Sequence, residues 1–296
     1  MERREFIKTA VTTAAGLSLF PSISFPFTEK SSLVVVKGGE PAQLVRSAVE
    51  HLGGMSSFVS KGDIVVLKPN MSWDRVPEQA ANTNPEVVAE VVKMCFDAGA
   101  KKVKIFDNTL NEIRRCYKRS GIKEAAEQAG AEVLFVRTRK FKTTAIPDGK
   151  LVKSWLLYED AMDADVLINI PIAKHHALSG VSLGMKNYMG YLGGNRGKFH
   201  RNFDVKITDL NTKFKAKLTI LDAYRMLLRN GPSGGNLKDV ALKKTVIAGS
   251  DPVAVDSYGA TLFGLDPLNI GFLNEAKERG LGQNNLSKVK VNTFDI

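Results

Sequence analysis

The chain has 296 residues, 44% of them hydrophobic, with 42 Lys and Arg against 31 Asp and Glu and a formal net charge of +11. That content can bury a substantial core, while no run reaches the roughly 18–20 apolar residues of a membrane span. The basic residues are scattered rather than interleaved with aromatics, so a small anionic ligand is a better expected partner than nucleic acid. Cys95 and Cys116 stand far apart with no C-x-x-C. This excludes a disulfide framework or a self-contained cysteine cluster and leaves one bridge between them open.

Arg3-Arg4-Glu5-Phe6-Ile7-Lys8, followed by a mildly apolar stretch to Phe20, resembles a twin-arginine (Tat) export signal. Residues 1–28 are read as that signal and 29–296 as an α/β domain. The Tat export machinery is an expected partner, and a periplasmic or other extracytoplasmic location is expected.

Along the body, 32–37 reads as a strand, 43–52 as a helix and 63–68 as a second strand. Asn84 caps a helix that starts at Pro85 and ends at Gly99, with Val88, Val91, Val92, Cys95 and Phe96 as its apolar stripe. A strand at 102–107 follows, then a helix capped by Ser120 and running to Gln128, and strands at 132–136 and 164–171. The stretch 174–198 reads as a glycine-rich loop. Strands at 217–221 and 244–248, a helix opened by Asp251-Pro252, a helix near 269–279 and a strand at 289–292 complete the chain. This alternation predicts an α/β fold with a mostly parallel sheet covered by helices on both faces. A division into two lobes at 140–160, with a cleft at the strand carboxyl ends, stays open.

The functional centre is expected at Lys174–Lys198, where a buried strand empties into lysines, histidines and glycines, as ligand sites do in open α/β sheets. Lys68, Asn70, Lys174, Lys186 and Asn187 are candidate anion-binding side chains. Gly184, Gly193 and Gly194 would let backbone amides approach the anion. His175 and His176 are adjacent, so on a strand they face opposite ways and one of them enters the site as a proton-transfer group. Asp107 and Asp256 are further catalytic candidates, with Asp222 at another strand end. Asp256 falls on a small-residue helix face and needs a partner, which a metal, Lys186 or a backbone amide would supply. Asp251 and His200 are candidate metal ligands, although Asp251 also suits a helix cap. No HExxH, P-loop or G-x-G-x-x-G pattern is present, which disfavours zinc-protease, nucleotide and nicotinamide chemistry.

The motifs VLKPN ending at Asn70, DVLINIPIAKHH ending at His176, GVSLGMKN ending at Asn187 and DPVAVD ending at Asp256 resemble the domain-of-unknown-function 362 family over about residues 61–264. Some of its members carry ferredoxin-like cysteine clusters; this chain lacks them, so no iron–sulfur centre is carried over. The stretch from His176 to Lys186 is also similar to a segment of nickel-pincer lactate racemases. That resemblance implies Lys186 as a cofactor-bearing lysine and His175 or His176 as the functional imidazole, with Leu183 and Met185 departing from the pattern. Together these readings predict an exported enzyme acting on a small anion, with a divalent metal or metal-bearing organic cofactor as a further expectation. A non-catalytic binding protein is the alternative.

Overall fold

The computed structural model describes residues 31–296, so the expected export signal lies outside the described residues. In chain order the elements are β1 (Ser32–Lys37), α1 (Pro41–Glu50), β2 (Ile64–Pro69), α2 (Pro85–Asp97), β3 (Lys102–Ile105), α3 (Ile113–Arg119) and α4 (Ile122–Gln128). Next come β4 (Glu132–Val133), β5 (Phe141–Ala145), β6 (Ser154–Tyr158), β7 (Val166–Ile170), β8 (Ile172–His176), β9 (Gly180–Ser182) and α5 (Gly184–Asn187). The chain closes with α6 (Phe203–Lys213), β10 (Leu218–Leu227), β11 (Val240–Gly249), α7 (Pro252–Thr261), α8 (Gly271–Glu278) and β12 (Lys290–Asp295).

Ten strands form one mixed sheet whose main order is β12-β1-β11-β10-β7-β2-β3-β4, with β8 and β9 attached beside β10. The pairs from β10 through β7, β2 and β3 to β4 are parallel, whereas β11 runs antiparallel to both β1 and β10. Apolar runs such as Leu33-Val-Val-Val36 and Val65-Val-Leu67 are buried on both faces, as a covered sheet requires. On one side α1, α2 and α4 pack Leu44, Val45, Val88, Val91 and Ile122 onto the sheet. On the other, α6, α7 and α8 contribute Ile207, Leu210, Val255 and Leu273. The α/β class with both faces covered is what the structure shows.

Local chemistry explains most boundaries. Asn84 Oδ1 accepts from Glu86 N at 2.9 Å and Pro85 occupies the first turn of α2, so the predicted cap forms. Cys95 and Cys116 are both buried and free. Among the described residues, no helix is long and apolar enough to cross a membrane.

Three expectations change. Ser120 closes α3, and Gly121, at φ +71°, starts α4; α3 has seven residues with Ile113, Cys116 and Tyr117 as its apolar positions, too short a run for a helical period to show. The strand expected to stop at Leu221 continues as β10 through Asp222, with a register shift between Ala223 and Arg225. Residues 174–198 are a compact series of β8, β9, α5 and short helical turns rather than a loop. Within the suggested lobe boundary lies the β5–β6 hairpin, whose Leu157 and Tyr158 pack into the same core as the helices α6–α8.

Candidate functional site

The carboxyl ends of β2, β7 and β8 meet at one place. Asn187, on α5, ties the first two together: its Nδ2 donates to Lys68 O at 2.7 Å and to Asn169 Oδ1 at 2.9 Å, while its Oδ1 accepts from Asn70 Nδ2 at 3.2 Å. Asn169 in turn donates to Gly184 O at 2.9 Å. Asparagines buried at the end of an apolar strand thus fix the start of α5, and with it Lys186.

Above this network lies a cavity of about 150 Å³ lined by Asn70, Ser72, Trp73, Lys174, His176, Ser182, Lys186, Asn187, Arg196 and His200, among others. Three cationic side chains line it, and no carboxylate does among the described residues. Lys174 Nζ donates to Ala81 O at 2.5 Å and Asn70 Oδ1 at 3.1 Å. Burial, then Lys186, pushes its amine well below the usual lysine value. Arg196 is anchored through Nη1 to Asn108 O and Nη2 to Thr109 O. Among the described residues, Lys186 has only Met189 Sδ at 3.5 Å as a hydrogen-bond partner, with the Phe203 ring 5.9 Å away. Burial, followed by the Arg196 charge, lowers its amine to about 8.

His176 Nδ1 accepts from Leu178 N at 3.2 Å and Ser179 N at 3.3 Å. Burial first, then Lys186, depresses the ring to about 3, so it is neutral over the physiological range. The His200 ring lies parallel to it at 5.5 Å, lowered by burial and Lys186, and its buried Nε2 has no partner among the described residues.

The other expected residues sit elsewhere. Lys68 is fully buried behind the cavity, 3.0 Å from Asp107 Oδ1 and 2.7 Å from Pro69 O; the Asp107 Oδ2 accepts from Met71 N at 2.7 Å. Both belong to a buried ion pair under the cavity floor rather than to its lining. His175 faces away, its Nδ1 accepting from Gly231 N at 3.2 Å. Asp256 has both oxygens on backbone amides, Gly184 N at 2.7 Å and Met185 N at 2.8 Å, which resolves its partner as backbone. Asp251 caps α7 through Val253 N and Ala254 N and accepts from Gln283 N, leaving it remote from His200 in role. Gly184 contributes its amide to Asp256 rather than to a ligand. Gly193 lies against Phe141 and bonds Leu156 O, and Gly194 takes a left-handed turn at φ +65°. Asp222 accepts from Asn84 N and Tyr224 N inside the fold. Among the described residues, no three His, Cys, Asp or Glu side chains gather where they would hold a metal ion.

Sequence reasoning missed Arg196, Ser182 and Asn169. Arg196 stood in plain view among the glycines, and Asn169 was legible as the one amide inside the apolar run Val166–Ile170.

Fold and site together define an α/β protein with a small cation-lined cavity at the carboxyl ends of parallel strands. The chain belongs to the family described as domain of unknown function (DUF362), whose model matches residues 65–261. It is 29% identical over 245 residues to the "Thylakoid-associated protein sll1697" of Synechocystis sp., covering 80% of this chain and 74% of that one. Among solved structures it is similar to the lactate racemase apoprotein of Thermoanaerobacterium thermosaccharolyticum, with a TM-score of 0.48 and 13% identity over 77% of this chain. A protein from Thermotoga maritima gives a TM-score of 0.46 at 12% identity over 76% of this chain. The chain spans 56% and 60% of those two structures.

Proposed function

We propose that the protein is an enzyme that binds a small oxyanion in the cavity and acts on it by proton transfer. The observation that carries this reading is a cavity wall holding Lys174, Lys186 and Arg196 with no opposing carboxylate among the described residues. Basic groups gathered on one cavity, Lys174 buried and Lys186 and Arg196 partly so, are costly with no carboxylate in the described lining, and an anion of matching size supplies the missing partner. Arg196 and Lys174, fixed by backbone carbonyls, would orient the anion. Lys186, the least encumbered of the three and lowered to about 8, would exchange a proton near neutral pH. Export by the Tat route and an extracytoplasmic location are part of the same proposal.

Small carboxylates, phosphates and sulfate would be screened by thermal shift on the full chain, and each hit followed by proton NMR in D2O. Conversion of a bound ligand, or deuterium entering it, supports the enzyme. Saturable binding with no chemical change in any ligand favours a non-catalytic binding protein.

A second reading is favoured by the free amine of Lys186. A metal-bearing organic cofactor fits that residue, since among the described residues Nζ has no carboxylate partner and His200 Nε2, in the same wall, has no partner either. Lys186 would hold such a group, which would bring its own metal and supply electrophilic chemistry to the cavity. Intact-mass spectrometry tests this: extra mass that disappears in Lys186→Met supports it, and a bare chain from the native host contradicts it.

A further inference from the structure

Of the two adjacent histidines of β8, His176 reaches the cavity, and its hydrogen bonds set its chemistry. Leu178 N and Ser179 N, in the turn between β8 and β9, both point their N–H groups at Nδ1. Two donors on one ring nitrogen require a lone pair there, and neutral imidazole then carries its proton on the other nitrogen. No protein group among the described residues is bonded to Nε2, so that N–H is left for whatever fills the cavity.

We propose that His176 is held as a fixed Nε2–H donor to an oxygen of the bound anion, and that it is neither the proton acceptor nor a metal ligand of this site. Either of those roles needs a lone pair on Nε2. That would move the proton to Nδ1, against the Leu178 and Ser179 amides, and strand two buried donors. The titratable groups whose charge acts on the ring are Lys186, His200, Lys174 and, from the opposite side of β8, His175, all of them basic, so none would stabilise an imidazolium. With His176, the Lys186 amine and the Arg196 guanidinium all donating, the cavity selects a fully ionised oxyanion whose oxygens only accept. This assignment deepens the oxyanion reading above and rests on it.

The test uses the full chain labelled with 15N-histidine. Two-bond proton–nitrogen correlations, assigned with His176→Gln, should show a protonated Nε2 and a bare Nδ1, unchanged from about pH 8 to about pH 5. An Nδ1–H tautomer, or an imidazolium forming with a midpoint near the usual value of about 6.5, overturns the assignment. Sulfate titrations supply the second readout. His176→Gln, whose side-chain amide still donates, should stay within about threefold of the parent affinity, whereas His176→Ala should lose about tenfold or more. Equal losses in the two variants overturn the donor role. If the parent chain binds no oxyanion, the reading of the site fails whatever the tautomer; if it binds and the ring carries Nδ1–H, only the present assignment fails.

Discussion

Asp256 Oδ1 accepts the Gly184 amide at 2.7 Å across 72 positions of sequence, and its Oδ2 accepts the next amide, Met185 N, at 2.8 Å. One carboxylate on α7 therefore holds the first turn of α5, the segment that carries Lys186 into the cavity and Asn187 into the network beneath it. The relationship also accounts for a small residue at position 184, where a Cβ would stand 2.8 Å from that same Asp256 oxygen.

Removing this carboxylate leaves two buried N–H groups without an acceptor. Asp256→Ala should cost on the order of 3–5 kcal/mol of stability, read as a shift in denaturant midpoint, and Asp256→Asn about half as much. Burial raises the Asp256 carboxyl to about 7 against the pull of the two amides. Its folded value therefore lies above its unfolded one. This contribution to stability is fully present below about 3.8 and is lost as pH rises through about 7. Asp256→Asn should flatten that part of the stability profile.

A second prediction concerns the cavity floor. A Cβ at Gly190 would fall 1.8 Å from Asp107 Oδ1 and 2.7 Å from Lys68 Nζ. Gly190→Ala should therefore force apart a fully buried ion pair and destabilise the protein by about 3–5 kcal/mol, the range for breaking such pairs. Thermal melting of the variant beside Gly194→Ala, whose added carbon meets only Leu156 Cδ1 at 3.5 Å, gives the comparison. The Gly194 change strains a left-handed turn and should cost only about 1–2 kcal/mol.

Most of the architecture was legible because buried parallel strands are continuous apolar runs: Leu33–Val36, Val65–Leu67 and Val166–Ile170 stand out without any partner being known. The helix at α2 was equally readable from Asn84-Pro85. The segment after β8 was not, since its glycines suggest a loop while its order comes from Asn169, Asn187 and Asp256, contacts made 15 to 119 positions away in sequence. For the site, Lys174, Lys186, His176 and Asn70 were visible as ionisable or amide groups near strand ends. The division of labour was not: Lys68 and Asp107 neutralise each other, whereas Lys186 meets no acid among the described residues, and no spacing rule separates those cases.

The lowered Lys186 amine gives the third prediction. Its folded value of about 8 is below the ordinary 10.5, so the ammonium is half lost at about 8 and near complete at neutral pH and below. Affinity for sulfate, which does not titrate in this range, should be high at neutral pH and below and fall as pH rises through about 8. In Lys186→Met that dependence should disappear. A flat profile in the parent chain would remove Lys186 from the anion site.

The most direct measurement of the central claim is calorimetric titration of sulfate, at fixed neutral pH, into the full chain and into Lys186→Met. Saturable binding of one anion per chain, weakened about tenfold or more in the variant, is the predicted result. Absence of saturable binding, or equal affinity in the two proteins, would contradict the account.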